Sequence, residues 1–278
     1  MSLSDEHDPT APALGPLPGF LIIGAMKAGT TSAAANLRRH PGLFMPKNEV
    51  HFFDRYWDEG ADWYRSFFAE GAGRLCGEKT PRYMTSREYM ERIASIVPRA
   101  KLVVLLRNPT DRLFSQINHE IQRGRLPATE HVDLAYLNRH ILNPPEQFQD
   151  YVERGFYARQ LEENVFPLFK RKRVFIRSSD GWRESVAEEK LRPTRRSEVE
   201  LKGMIRHAFT QRLLDELCDF LGVSRWEPKR HRVRHVRVYG VAFSDEAREH
   251  VAELYREPNE RLLKLLGRET RVREADLA

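Results

Sequence analysis

Lys27, Glu49, His51 and Lys79 are the side chains whose type and setting could move protons and offset charge. Lys27 lies in Phe20-Leu-Ile-Ile-Gly-Ala-Met-Lys-Ala-Gly-Thr-Thr-Ser32, an apolar run that breaks into a glycine-bounded loop. Helix-forming residues follow directly, so the segment reads as strand, loop and helix. Backbone N–H groups and a helix N-terminus hold an anion in that arrangement. The triphosphate version is G-x-x-x-x-G-K-[ST], with lysine after the second glycine and a hydroxyl on Mg²⁺. Gly24 and Gly29 keep the spacing, but Thr30 fills the lysine position and the lysine sits inside the loop. The cradle suits a phosphate-like group, with Ala28 to Ser32 supplying the donors, and fits poorly with metal–triphosphate chemistry.

Glu49 stands among Val50, Phe52 and Phe53, with His51 and Asp54 close by. A carboxylate against aromatic rings is expected to have its pKa raised by desolvation, which suits a general base near neutral pH. Lys79, placed directly after a strand and before Thr80-Pro81, is expected at the same sheet edge. Arg107 follows another strand, and Ser115 comes one or two helical turns later. A guanidinium fork with a neutral hydroxyl donor suits a second phosphate.

The elements that must position these groups alternate between strand and helix. Phe20–Gly24, 75–78, Lys101–Leu106 and 173–177 read as strands, the first and third as buried runs. Helices are expected at 30–40, 62–70, 87–97, from Pro109 to about Arg123, at 131–140, 157–169 and 209–221. A last helix begins at Ser244 and should break or kink at Pro258. Alternation of this kind predicts an α/β fold around a mainly parallel sheet, with ligands at the carboxyl ends of the strands. Residues 1–18 read as a disordered arm, with Asp5, Glu6, Asp8 and four prolines, and 19–278 as one domain.

These segments, taken in order, resemble the PAPS-dependent sulfotransferases, most closely the branch containing the heparan sulfate glucosaminyl sulfotransferases. The likeness rests on Phe20–Ser32, Asn48–Asp54, Glu78–Tyr83, Leu105–Ser115 and Glu257-Pro258-Asn259. It implies a P-loop-like three-layer fold and 3′-phosphoadenosine 5′-phosphosulfate (PAPS) as sulfuryl donor, with no metal. By the resemblance, residues 27–32 hold the 5′-phosphosulfate, and Arg107 with Ser115 holds the 3′-phosphate. Glu49 matches the family's base, while Lys27, His51 and Lys79 line the reacting centre. A lysine inside the loop then makes sense, because a cation near the leaving oxygen offsets its growing charge.

The animal heparan sulfate enzymes carry a late disulfide hairpin and a Lys-Gly-Arg loop, and neither occurs here. The corresponding stretch, 229–237, is basic, and Arg232 or Arg234 is expected to close over the nucleotide. Residues 178–202 form a long charged stretch, read as a solvated segment and otherwise suited to a lid or binding loop. Cys76 and Cys218 read as buried, reduced thiols. With no signal sequence or apolar span visible, a bacterial-type cytoplasmic enzyme is expected, acting on a small molecule or glycan.

A net charge of +6 and a pI near 9.4 fit anionic ligands, but acidic residues are interspersed throughout. A nucleic-acid binder would show aromatic residues interleaved with a basic platform, which is not visible. The principal alternative is a P-loop phosphotransferase or NTPase, which would require Mg²⁺ and a lysine at position 30.

Overall fold

Phe20, Leu21, Ile22 and Ile23 are fully buried, as a strand covered on both faces requires. In the computed structural model, which describes residues 14–143, 150–178, 211–228 and 241–267, they form β1 (Phe20–Gly24). β2 (Leu43–Phe44), β3 (Leu75–Lys79), β4 (Lys101–Leu106) and β6 (Val174–Ser178) complete a five-stranded sheet of order β2-β3-β1-β4-β6. Every pairing is parallel. All five strands therefore end at one edge, where the loops after β1, β3 and β4 converge.

Helices flank the sheet: α1 (Thr30–Leu37), α2 (Gly60–Ser66), α3 (Arg87–Ile96), α4 (Pro109–Gln122), α5 (Leu134–Leu137), α6 (Asp150–Glu153), α7 (Tyr157–Arg159), α8 (Gln211–Leu221) and α9 (Asp245–Leu266). The main core joins the sheet to α1, α3 and α8, through residues such as Leu37, Ile93, Val103 and Leu217. A second cluster, including Leu113, Ile117, Val251 and Tyr255, welds α4 to α9. Burying each such side chain is worth roughly 1.5–3 kcal/mol. Gly24 is required sterically, since a Cβ there would stand 1.8 Å from Met84 Sδ.

Several boundaries differ from the sequence expectation, for local reasons. The stretch 131–140 is not one helix. His131–Val132 is a short strand (β5), paired with β7 (Ala242–Phe243), and the helix starts only after Asp133. That residue caps it, accepting from Tyr136 N at 2.8 Å. α2 spans Gly60–Ser66 rather than 62–70, and α1 stops at Leu37 because the chain turns through His40, whose Nδ1 accepts from Gly42 N. Helix 157–169 divides into α7 and a wider π turn at Gln160–Val165.

α9 continues unbroken through Pro258. Val251, Tyr255, Leu262 and Leu266 are all buried, and their spacing places them on one face. Their burial outweighs the cost of about 3 kcal/mol for an interior proline. At the other end of the chain, Gly15 exchanges hydrogen bonds with Arg65: its N donates to Arg65 O at 3.2 Å and its O accepts from Arg65 Nε at 3.0 Å. Cys76 and Cys218 are buried free thiols. Among the described residues, no helix is long and apolar enough to cross a membrane.

Candidate active site

The loop after β1 turns on two left-handed residues, Lys27 at φ 68° and Gly29 at φ 84°. Gly29 adopts that conformation freely, whereas lysine does so at some cost. The turn delivers the chain into α1 with no side-chain cap at Gly29 and no acidic residue in the first turn. The first amides of a helix lack intrahelical partners, and the dipole there favours negative charge. An oxyanion is the complementary ligand. Thr30 and Ser32 are buried within the first turn, while Lys27 and Thr31 remain partly open.

Lys79 is the last residue of β3 and is 7% exposed. Its Nζ donates to Thr31 Oγ1 at 3.3 Å and also pairs with Glu49 Oε1. Glu49 Oε2 lies 3.2 Å from His51 Nε2, and His51 Nδ1 lies 3.0 Å from Asp54 Oδ2. A continuous chain of charge thus runs from the anion loop through Lys79, Glu49 and His51 to Asp54. His51 is a left-handed residue at φ 56°, a backbone setting that concentrates at functional sites. Hydrogen bonds to Asp54 and then Glu49 push the His51 imidazole up to about 9, against the effect of burial.

The expected environment of Glu49 is corrected by this geometry. Burial does press its pKa upward, as the largest single influence, but the His51 hydrogen bond and the Lys79 ammonium together outweigh it. The carboxyl is held at about 2, not raised. The aromatic neighbours do not wall it in: Phe52 and Phe53 are buried in the core, where Phe52 stacks on Tyr64 at 4.5 Å and Phe53 meets Tyr83 edge-on. The Glu49 carboxylate pairs instead with Lys79 and His51, a third exposed.

Arg107, at the end of β4, is 3% exposed. Its Nη1 donates to Lys27 O at 3.4 Å and its Nη2 to Asp111 Oδ2 at 3.3 Å, tying the anion loop to the start of α4. Asn108 caps that helix, accepting from Asp111 N at 2.9 Å. Ser115 is partly exposed one turn beyond Asp111, so the two share a helix face. Arg107 and the loop are therefore joined directly, while Ser115 lies on the helix face of Asp111, the partner of Arg107. Arg232, Arg234 and nearly all of 178–202 lie outside the described residues.

Glu78 is a member of this site that its sequence position does not announce. It is 1% exposed, and accepts from Tyr64 OH at 2.7 Å, Thr80 Oγ1 at 2.8 Å and Tyr83 OH at 3.2 Å. Thr80 Oγ1 also stands 3.5 Å from His51 N, so Glu78 supports the His51 backbone through one hydroxyl. Burial pushes its carboxyl up to about 7, even though the three hydroxyls oppose that shift. A carboxylate inside a sheet strand, which must find hydrogen-bond donors once buried, is the signal that could have exposed this residue.

Residues 17–174 match the sulfotransferase domain family. Over 177 residues the chain is 36% identical to human heparan sulfate glucosamine 3-O-sulfotransferase 6, covering 59% of this chain and 51% of that protein. It is 35% identical over 173 residues to the membrane-associated sulfotransferase kil1 of Dictyostelium discoideum, covering 59% of this chain and 34% of that one. The chain thus spans about half the length, or less, of these curated relatives. A crystal structure of a sulfotransferase from Alicyclobacillus acidocaldarius superposes with a TM-score of 0.65 at 24% identity, covering 90% of this chain and 96% of that chain. That likeness shows the same fold.

Proposed function

Because the chain belongs to the sulfotransferase domain family, we propose that it transfers a sulfuryl group from PAPS to a hydroxyl or amine of an acceptor. The observation that carries the reading is the position of Lys79, which joins Thr31 in the first turn of α1 to Glu49. One cation thereby links the anion cradle to the only carboxylate among the described residues that pairs with both Lys79 and His51.

The residues present fit such a donor. The cradle offers an uncapped helix start and left-handed Gly29, with no acid in its first turn to repel an anion. Lys27 is inside the loop, and Arg107 reaches the loop from β4. PAPS, when bound, supplies the sulfuryl group and a leaving adenosine 3′,5′-bisphosphate. Lys27 and the amides at the start of α1 offset charge that grows on the leaving phosphate, a role worth about 10²- to 10³-fold in comparable sites. Arg107 holds the 3′-phosphate, with Ser115 as a neutral donor.

Glu49 takes the proton of the acceptor nucleophile. At about 2, its pKa leaves the carboxylate ionised but weakly basic while Lys79 is paired with it. An anion seated in the loop competes for that ammonium, and a Glu49 relieved of Lys79 is a stronger base. His51, held by Asp54, keeps the carboxylate oriented. Correctly timed proton removal is worth about 10²- to 10⁴-fold.

The curated relative named above is a glucosamine 3-O-sulfotransferase, so a glycan hydroxyl is the acceptor class to try first. Calorimetry with adenosine 3′,5′-bisphosphate against Mg·ATP separates this reading from a phosphotransferase. Binding of the bisphosphate without divalent ion is expected, and preference for Mg·ATP would overturn the proposal. Sulfur-35 transfer from labelled PAPS across glycans, lipids and small phenols then identifies the acceptor.

A further inference from the structure

Three arginines from separate segments lie within electrostatic reach of one another, and one of them, Arg154, touches the anion loop. Arg82 lies in the turn after β3, Arg112 in α4, and Arg154 just after α6. Arg112 is fully buried. Its Nη2 donates to Tyr151 O and the Tyr255 hydroxyl stands close enough to interact with the guanidinium, but neither Nε nor Nη1 has a hydrogen-bond partner of good geometry. Arg82 Nε is likewise buried without a partner. Arg154 is 8% exposed and pairs with Asp150, but its Nη1 is spent on Met26 Sδ at 3.1 Å. A thioether is a weak acceptor for a guanidinium. Arg112 and Arg82 both repel the Arg154 charge, adding to the cost of its burial.

Buried guanidinium N–H groups without acceptors are costly, and an oxyanion is the ligand that satisfies them. Asp150, whose side chain is 44% exposed, is the carboxylate paired within the cluster. Glu120, whose charge also acts on Tyr151, is already engaged by Arg125 and Gln116. Met26 directly precedes Lys27, so Arg154 reaches the loop at the residue beside the one that faces the donor.

We propose that Arg154, backed by Arg112 and Arg82, forms an oxyanion subsite at Met26 that receives a carboxylate, phosphate or sulfate group carried by the acceptor. This rests on the proposed donor reading: the loop and Arg107 then account for both ends of the donor's charge, which leaves the arginine trio for the acceptor. The enzyme is thereby selective for acceptors with an acidic group close to the nucleophile. Neutral phenols and alcohols would leave the trio unsatisfied.

Inorganic phosphate is the probe, titrated by thermal shift into protein already saturated with adenosine 3′,5′-bisphosphate. Wild-type protein is expected to be stabilised further by millimolar phosphate. In Arg154→Met the phosphate affinity should fall roughly tenfold or more, the usual consequence of losing a charge-assisted hydrogen bond. Affinity for the bisphosphate should stay unchanged. Arg82→Gln, at a partly exposed turn, provides a milder variant that should weaken phosphate in the same direction if Arg154→Met does not fold. No phosphate response in the wild type, or an equal response in both variants, overturns the subsite. Loss of bisphosphate affinity in Arg154→Met overturns it too, by assigning the trio to the donor. If the bisphosphate fails to bind wild-type protein, the donor reading falls, and the phosphate titration without it still decides the subsite.

Discussion

Lys79 Nζ lies 3.3 Å from Thr31 Oγ1, so the end of β3 is hydrogen-bonded to the first turn of α1 by the same ammonium that pairs with Glu49. Removing it should act on both partners. In Lys79→Met, the Glu49 carboxyl loses one of the two groups that hold it down, and its titration midpoint should rise from about 2. Carbon-13 NMR of labelled glutamate checks this directly. Turnover should fall about 10²-fold or more, because a preorganised cation at the transferring group is lost. Near-normal turnover in this variant would dissociate Lys79 from the chemistry.

His51 gives the protein a stability that is lost at alkaline pH. Its folded pKa, about 9, lies above the ordinary value of 6.5, chiefly through Asp54. The stabilisation is complete below about 6.5 and disappears as pH rises through about 9. Glu49 acts at the opposite end: its stabilisation is complete above 4.5 and is lost as pH falls toward 2. Denaturant melts between pH 6 and 10 should therefore show a decline that Asp54→Asn flattens, since the carboxylate that most raises His51 is neutralised. A decline identical in the variant would mean that other groups carry it.

The anion loop could be read from residues 20–32 because its chemistry is local: an apolar run, two spaced glycines and a helix former are enough to fix the backbone. The four parallel strands named from sequence were visible for the same reason, whereas the two-residue strands β2, β5 and β7 are too short to carry a pattern. The setting of Glu49 was misjudged because adjacency to Phe52 and Phe53 in the chain says nothing about direction. The rings turn into the core while the carboxylate turns toward Lys79, thirty positions away. Glu78 could be flagged as a strand carboxylate, but its Tyr64 partner and the arginine trio come from separate segments, and such convergence has no local signature.

Glu78 supplies a separate test, because its buried carboxyl titrates near 7 rather than 4.5. The folded state retains a proton that the unfolded chain releases, so the contribution of this group to stability falls as pH rises from about 4.5 to 7. Glu78→Gln should remove that slope while keeping an acceptor for the Tyr64 hydroxyl. At pH 5 the variant is expected to be less stable relative to wild type than at pH 8. A pH-independent difference between the two would show that Glu78 is not the titrating group. Any loss of activity should appear in turnover more than in affinity for adenosine 3′,5′-bisphosphate, because Glu78 reaches the site through Thr80 and His51 N.

Gly29→Ala isolates the backbone of the cradle. A Cβ at this position would meet nothing within 4 Å, so any effect comes from the φ of 84° and not from crowding. Placing alanine in the left-handed region costs roughly 1–2 kcal/mol. Either the protein keeps this geometry and loses about that much stability, or the loop relaxes and the amides at the start of α1 turn away from the ligand. Both outcomes are measurable, the first by denaturant melting and the second by calorimetry with adenosine 3′,5′-bisphosphate. A variant with wild-type stability and wild-type affinity would show that the left-handed turn is dispensable and that the anion is held elsewhere.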